Sequence, residues 1–270
     1  MRLRRGRFVF ISFLLILALV YPVIAEARTI PSLCKIKHPS DTSIEWNCKR
    51  LKKGESIESL FGDRWVDVAR FNRIDRRHAR PGVYLKVPKR IDDIKDFTPM
   101  PLYYKPAEPE PRFILVDLSE QFLGAYEHGR LVFSSPVATG EKGNETPRGE
   151  FRITAFDRRH VSSLYFIEGT SELYPMHYAL RFHISKDYVS YWIHGRDLPG
   201  YPASHGCIGL YDEEMQKKYY KYPKKPVLED ARRLFEWAVA PAGDGDAFHV
   251  LKDGPKVLIR GYAPGTASSP

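Results

Sequence analysis

Residues 188–212 read "YVSYWIHGRDLPGYPASHGCIGLYD", and the pattern of this stretch decides both the fold class and the site. "YVSYWIHG" is dense in aromatic and β-branched side chains and reads as a strand that closes at His194 and Gly195. "RDLPGYPAS" holds two prolines and a glycine, the composition of a compact loop. Cys207 follows Ser204, His205 and Gly206. In an extended segment, His205 and Cys207 point to the same face. A cysteine becomes nucleophilic as its thiolate, which needs a depressed pKa or an adjacent base. A loop that folds back would bring His194 to Cys207, and the backbone N–H groups around Gly206 and Cys207 could then face an oxyanion. Two other readings compete: a small buried thiol, and a metal site built from His183, His194, His205 and Cys207. The metal reading is the weakest, because no pair among these residues has the usual zinc spacing.

The surrounding sequence is β-rich. "RFILVDLSEQFLGAYEHGRLVFSSPVATG" places a strand at 113–118 and a hairpin whose tip is Glu127-His128-Gly129-Arg130. "NETPRGEFRITAF" and "MHYALRFHIS" add further turns and strands. Helices come late. Asp212 is a plausible N-cap for "DEEMQKKYYK", and "LEDARRLFEWAV" sets Leu228, Ala231, Leu234, Phe235 and Ala238 on one face. "KVLIR" is a candidate last strand, and residues 262–270 form a small, polar tail expected to be disordered.

Upstream, residues 91–111 carry five prolines and read as a semi-rigid, extended connector. Before it, residues 44–90 form a small α+β unit. Ile57, Leu60 and Phe61, then Trp65, Val68 and Ala69, recur at helical spacing, and "PGVYLKVP" reads as a turn and a short strand. The predicted layout is strand, two short helices, strand.

The N-terminus has a basic start, an apolar run from Phe8 to Val20 and an Ala25-Glu26-Ala27 cleavage-like site, so residues 1–27 are expected to be a secretory signal peptide. An apolar run this short, followed by Pro22, argues against a membrane-spanning anchor. Export permits disulfides. Pairing Cys34 with Cys48 would leave Cys207 as a free thiol. The chain has a formal charge of +9; without residues 1–27, 38 basic and 32 acidic side chains leave +6. That mild excess suits a polyanionic envelope, and no basic-aromatic interleaving points to nucleic acid.

"IHG" followed by "SHGCIGL", together with the earlier "VATGEKGNETPRGEFRI", resembles the signature of the L,D-transpeptidase (YkuD-like) catalytic domain, here spanning about 112–261. "KKGESIESL", "VARFNRID" and "PGVYLKVP" resemble a LysM domain. The first resemblance implies a mainly β, sandwich-like fold with Cys207 as nucleophile, His194 as base and the Gly195 carbonyl orienting the imidazole. Ser204, His205 and Gly206 would shape the pocket. It implies no metal or organic cofactor. The partners it implies are peptidoglycan stem peptides, with the LysM-like unit on glycan and a wall-anchored protein as a possible acceptor. Oligomeric state has no signal in the sequence. Many relatives have Arg or Asn where this chain has Gly209. Arg196 or Arg181 would then be the substitute for binding a substrate carboxylate. Hydrolysis through the same acyl-enzyme, as an L,D-carboxypeptidase, and an inactive wall-binding scaffold remain alternatives. The expected location is outside the cytoplasmic membrane, in a periplasm.

Overall fold

The computed structural model describes residues 32–167, 169–240 and 246–266. The expected signal peptide and residues 267–270 of the tail lie outside the described residues. Among the described residues, no helix is long and apolar enough to cross a membrane.

The chain begins with a small unit made of β1 (Trp46–Arg50), α1 (Ile57–Phe61), α2 (Trp65–Phe71) and β2 (Tyr84–Pro88). β1 and β2 pair antiparallel, with Cys48 opposite Lys86. Ser56 caps α1 by accepting the Ser59 N–H. Ile57, Val68, Phe71 and Leu85 supply its core. Asn72 ends α2 and ties it to β2: its side chain donates to Val68 O and Lys86 O and accepts from Lys86 N. Cys34 and Cys48 are disulfide-bonded, with Cα atoms 5.9 Å apart.

The rest is a sandwich of two five-stranded sheets. One has β3 (Phe113–Asp117), β4 (Phe122–Glu127), β5 (Arg130–Pro136), β6 (Gly149–Arg152) and, late in the chain, a strand at Lys256–Arg260. The other has β7 (Ala155–Asp157), strands at Ala179–Ile184, Ser190–Arg196 and Ile208–Tyr211, and a short one at His249–Val250. A separate hairpin, β8 (Val161–Phe166) with β9 (Leu173–Pro175), stands outside both sheets. Numbered on, the remaining strands are β10 (Ala179–Ile184), β11 (Ser190–Arg196), β12 (Ile208–Tyr211), β13 (His249–Val250) and β14 (Lys256–Arg260), and the helices are α3 (Glu213–Tyr220) and α4 (Asp230–Val239). The sheet orders are β5-β4-β3-β14-β6 and β12-β11-β10-β7-β13. Ile114, Val116, Leu123, Leu180, Ile193, Ile208 and Ile259 fill the space between them, joined by Leu234, Phe235 and Ala238 from α4. The tip predicted at 127–130 is a two-residue turn with positive φ at His128 and Gly129, which matches the twist of the strands it joins.

Residues 91–111 differ from the extended connector expected. Ile94, Met100 and Ala107 are buried. Ile94 joins the small unit's core, and the cause for the other two is the "FILVD" run of β3, which is buried along its whole length. Ile114 and Val116 face the inter-sheet core, so Phe113 and Leu115 need a second cover. Met100 and Ala107 supply it, with Phe97 and Tyr104 packed at its edge. Phe97 also stands edge-on to Phe71 of the small unit at 5.2 Å and to Phe122 at 5.8 Å.

Arginines of the small unit, among them Arg70, Arg73 and Arg76, reach the sandwich. Arg70 Nη2 meets both Asp230 oxygens at 2.8 and 2.7 Å. Arg73, 1% exposed, bonds Glu120 O at 3.1 Å and Ser40 Oγ at 3.0 Å and pairs with the Glu120 carboxylate at 3.3 Å. Arg76 pairs with the fully buried Glu213. Removing one member of such a buried pair strands its partner's charge at a cost of about 3–5 kcal/mol. The two parts accordingly form one compact unit.

Candidate active site

Alternation along β11 builds the site. Ile193 enters the core, whereas Trp192, His194 and Arg196 line an open cleft of about 590 Å³. β12 runs parallel beside it, with Ile193 opposite Ile208, His194 opposite Gly209 and Gly195 opposite Leu210. Ile208 and Leu210 also enter the core, so Gly209 and Cys207 take the cleft side. His194 and Cys207 therefore meet in one cleft although a thirteen-residue step separates them in sequence.

The imidazole is held in one tautomer. His194 is 4% exposed, and its Nδ1 lies 2.8 Å from Gly195 O. A carbonyl only accepts, so Nδ1 carries the proton and Nε2 is left as the acceptor. Burial first and then the Arg196 charge lower the His194 pKa to about 3, against the hydrogen bond to the Gly195 carbonyl. Burial also pushes the half-buried Cys207 thiol up, against a backbone hydrogen bond to Trp192 and the Arg196 charge. Near pH 7 both groups rest neutral. Such a pair can move a proton from sulfur to Nε2 as bond formation proceeds, and holds no preformed thiolate–imidazolium pair.

The turn before the thiol is tightly bonded. Ser204 Oγ donates to Cys207 O at 2.5 Å and accepts from Gly206 N at 3.1 Å. Of the two backbone donors expected to face an oxyanion, the Gly206 N–H is thus engaged within its own turn. Gly206 has φ +106°, and a Cβ there would sit 2.5 Å from the Tyr191 ring, so both backbone and space demand glycine. At Gly195 a Cβ would lie 2.3 Å from Asp212 Oδ2. Asp212 is itself fixed as the cap of α3, accepting Met215 N at 2.9 Å.

Arg196 and Gly209 are complementary. A Cβ on Gly209 would fall 1.9 Å from Arg196 Cγ and 2.0 Å from Cδ. The arginine stem occupies the volume that a side chain at 209 would need. Its Nη2 donates to Ala203 O at 3.2 Å, its Nε is buried without a hydrogen-bond partner, and among the described residues no carboxylate pairs with it. Arg181, the other candidate, is not brought to the cleft. Its guanidinium lies over Trp192 at 5.7 Å and Phe248 at 5.2 Å, and its Nε bonds Thr154.

His205 is exposed and lies flat on Tyr165, with ring centroids 4.3 Å apart and planes at 17°. That stack draws the β8–β9 hairpin across the cleft, where Leu164, Tyr165 and Phe166 form an apolar rim. His183 packs against Phe151 and Tyr191 instead of facing the cleft. Among the described residues no group of three or more His, Cys, Asp or Glu side chains is placed to hold a metal ion. His160 is a cleft residue that the sequence reading missed: its Nδ1 lies 3.2 Å from Asp157 Oδ2, and its ring is 4.3 Å from that of Trp192. The three-residue spacing of Asp157 and His160 was the available signal. Tyr165 had none, because its role depends on the hairpin folding over the cleft.

The sandwich thus places a free thiol, just before β12, and an oriented imidazole on the neighbouring β11 in one cleft. The chain matches the YkuD family, the L,D-transpeptidase catalytic domain, over residues 111–259, and belongs to that family. Among solved structures it is similar to an L,D-transpeptidase from Stackebrandtia nassauensis, at 21% identity and TM-score 0.40, covering 76% of this chain and 70% of that one. It is also similar to L,D-transpeptidase 1 of Mycobacterium tuberculosis, at 18% identity and TM-score 0.36, covering 56% of this chain and 62% of that one. A structure of an L,D-transpeptidase in complex with imipenem shares 18% identity at TM-score 0.37, covering 56% of this chain and 59% of that one. The chain thus spans less than two thirds of the length of each of the last two structures it matches. No curated protein matches it.

Proposed function

We propose that this protein is an exported, cysteine-dependent L,D-transpeptidase acting on peptidoglycan stem peptides in a periplasm. The observation that carries the reading is His194, buried, with Nδ1 bonded to Gly195 O, in the same cleft as the free thiol of Cys207. His194 Nε2 takes the thiol proton as Sγ attacks the carbonyl between the third residue of a tetrapeptide stem and its terminal D-alanine. With the Ser204 and Gly206 N–H groups engaged elsewhere, the Cys207 N–H is the backbone donor we assign to the oxyanion. The C–N bond breaks, D-alanine leaves with the proton from His194, and a thioester remains on Cys207. An acceptor amine attacks the thioester, returns its proton through His194 and regenerates the thiol. The product is a 3→3 cross-link or a protein–wall tether.

Arg196 is the group to which we assign the D-alanine carboxylate, because it faces the cleft with no carboxylate of its own. The strand–helix–helix–strand unit is read as LysM-like and would hold the enzyme on glycan, raising the local concentration of stem peptides. Carboxypeptidase action differs only in using water for the second step, and no feature of the cleft favours it.

Intact-protein mass after exposure to imipenem tests the nucleophile. One adduct per chain is expected, absent in Cys207→Ala and at least about a hundredfold slower in His194→Ala, the scale of a general base. An adduct that survives Cys207→Ala would sink the assignment. Tetrapeptide muropeptides with and without an amine acceptor then separate transfer from hydrolysis.

A further inference from the structure

The loop from Arg196 to Ser204 joins the proposed base to the proposed nucleophile, and its outer side is held almost entirely by the small N-terminal unit. Asp75 N donates to Leu198 O at 2.8 Å, and Leu198 N donates back to Asp75 Oδ2 at 2.7 Å. Gln216 Nε2 reaches Asp75 Oδ2 at 2.7 Å and Asp197 Oδ1 at 2.9 Å. Arg77 Nη2 holds the other Asp197 oxygen at 2.8 Å. Asp75 Oδ1 is taken by His78, through N and Nδ1, each at 2.8 Å. Ile74 forms a β-bridge with Pro199. Gly200 lies so close to Leu33 that a Cβ would approach its Cδ1 at 2.7 Å, and Tyr201 packs against the small unit's core. Five consecutive loop residues, 197–201, are gripped from one side.

Asp75 is fully buried, and every group that touches its carboxylate is a donor. The arrangement needs an ionised acceptor with four lone-pair sites, which an amide cannot supply. The inner side of the same loop is built into the sandwich: Ala203 N and Ser204 N both donate to Thr139 O, at 2.9 and 3.0 Å. Ser204 itself opens the turn that aims Cys207. A shift of the outer anchor therefore has a short, stiff path to the sulfur.

We infer that the small unit is a structural part of the cleft as well as a carrier, with Asp75 as a positioning residue that sets where the 197–204 loop presents Cys207. The small unit thus does more than tether the enzyme to its substrate. The inference is separable from the proposed reaction, because the position of a thiol is readable without any turnover.

The test uses the full chain and alkylation of Cys207 by iodoacetamide across pH, beside acylation by imipenem. Burial holds the thiol pKa up, so a loosened loop that solvates the sulfur lowers the pH midpoint of alkylation. In Asp75→Asn, alkylation at pH 7.5 is expected to rise about tenfold and acylation to fall about tenfold, opposite signs that simple loss of folded protein does not produce. Arg77→Gln removes only the Asp197 contact and should move both rates the same way by a smaller factor. Arg70→Gln weakens the same interface at Asp230, away from the loop, and should change neither by more than about twofold. If Asp75→Asn does not fold, Arg77→Gln against Arg70→Gln decides. Unchanged alkylation midpoints in the folded Asp75→Asn and Arg77→Gln, or equal effects in Arg70→Gln, overturn the inference. If wild type is alkylated but not acylated, the proposed reaction fails while the positioning argument stands.

Discussion

Two buried imidazoles make the stability of this protein steeply dependent on pH in mild acid. Burial lowers His194 to about 3, with the Arg196 charge, His160 and His177 pushing the same way. His38 is lowered to about 2, first by burial and then by Arg73 and Lys86, against its hydrogen bond to Ser119 O. In the unfolded chain each returns to about 6.5. Between pH 6.5 and about 4 the unfolded state therefore binds two protons that the folded state does not, and stability falls as pH falls. Each group contributes about 0.7 kcal/mol per pH unit at pH 6.5, where the unfolded imidazole is half protonated, rising to about 1.4 below it, so about 3 kcal/mol is lost between pH 6.5 and 5. Set against typical stabilities of about 5–15 kcal/mol, that is a large fraction. Glu229 acts with the opposite sign. Burial, with Asp212 beside it, raises its carboxyl to about 8, so the folded state holds a proton there that the unfolded state releases above about 4.5. Glu229 is only half-buried, and solvent screening reduces its share below that of either imidazole. Ordinary carboxylates titrate below this window. Urea unfolding at pH 5.0, 5.5, 6.0 and 6.5 reads the slope, which a uniform change in stability leaves untouched. His194→Gln and His38→Gln should each remove about 1 kcal/mol per unit from it, averaged over this range, and Glu229→Gln should steepen it. A slope equal to that of wild type in His194→Gln would refute the claim that this imidazole is kept neutral by its burial.

Gly209→Ala forces a methyl into space held by the Arg196 stem, 1.9 Å from Cγ. It should displace the guanidinium and raise KM for a tetrapeptide donor by about tenfold, with little change in imidazole-dependent steps; an unchanged KM would separate Arg196 from donor binding. Reducing the Cys34–Cys48 bridge reopens a loop set by a separation of 14 residues, at a cost of about 3 kcal/mol. For a chain of this size the melting temperature should drop by about 6–12 °C, read by calorimetry with and without reductant. No drop would mean that the small unit's docking already restrains that loop.

Much of the sandwich was legible because its strands repeat at period two between strong turn signals. The hairpin tip at 127–130, the α4 face from Leu228 to Ala238 and the last strand at 256–260 were all read from local pattern, and each is present. The pairing of those strands was not legible: β14 joins β3 in parallel from more than 140 residues away, and nothing local encodes the partner. The proline-rich segment misled for a related reason. Proline reports on backbone freedom, whereas the burial of Met100 and Ala107 follows from an uncovered apolar face on β3. The candidate site divides the same way. His194, Gly195 and the 204–207 turn stand on two adjacent strands and one short loop, so their juxtaposition follows from local signals. His160, Tyr165 and Asp75 enter the cleft or its frame from other elements, and only the fold brings them there.

Gly209 shows how a change at one position is read wrongly when it is read alone. By itself it is the loss of a side chain beside the proposed nucleophile. In the parallel pair, His194 stands opposite Gly209 and Arg196 lies two residues further along the same face of β11. The space vacated on β12 is filled by the stem of that arginine, whose head then reaches the cleft from the neighbouring strand. The unpartnered Nε argues that the head is held there for something the protein itself does not supply, since a buried guanidinium donor without an acceptor costs about 1–3 kcal/mol or more. The positive charge at this end of the cleft is therefore rooted on β11 and not on β12. Donor choice, more than acyl-transfer chemistry, is where that difference should be felt.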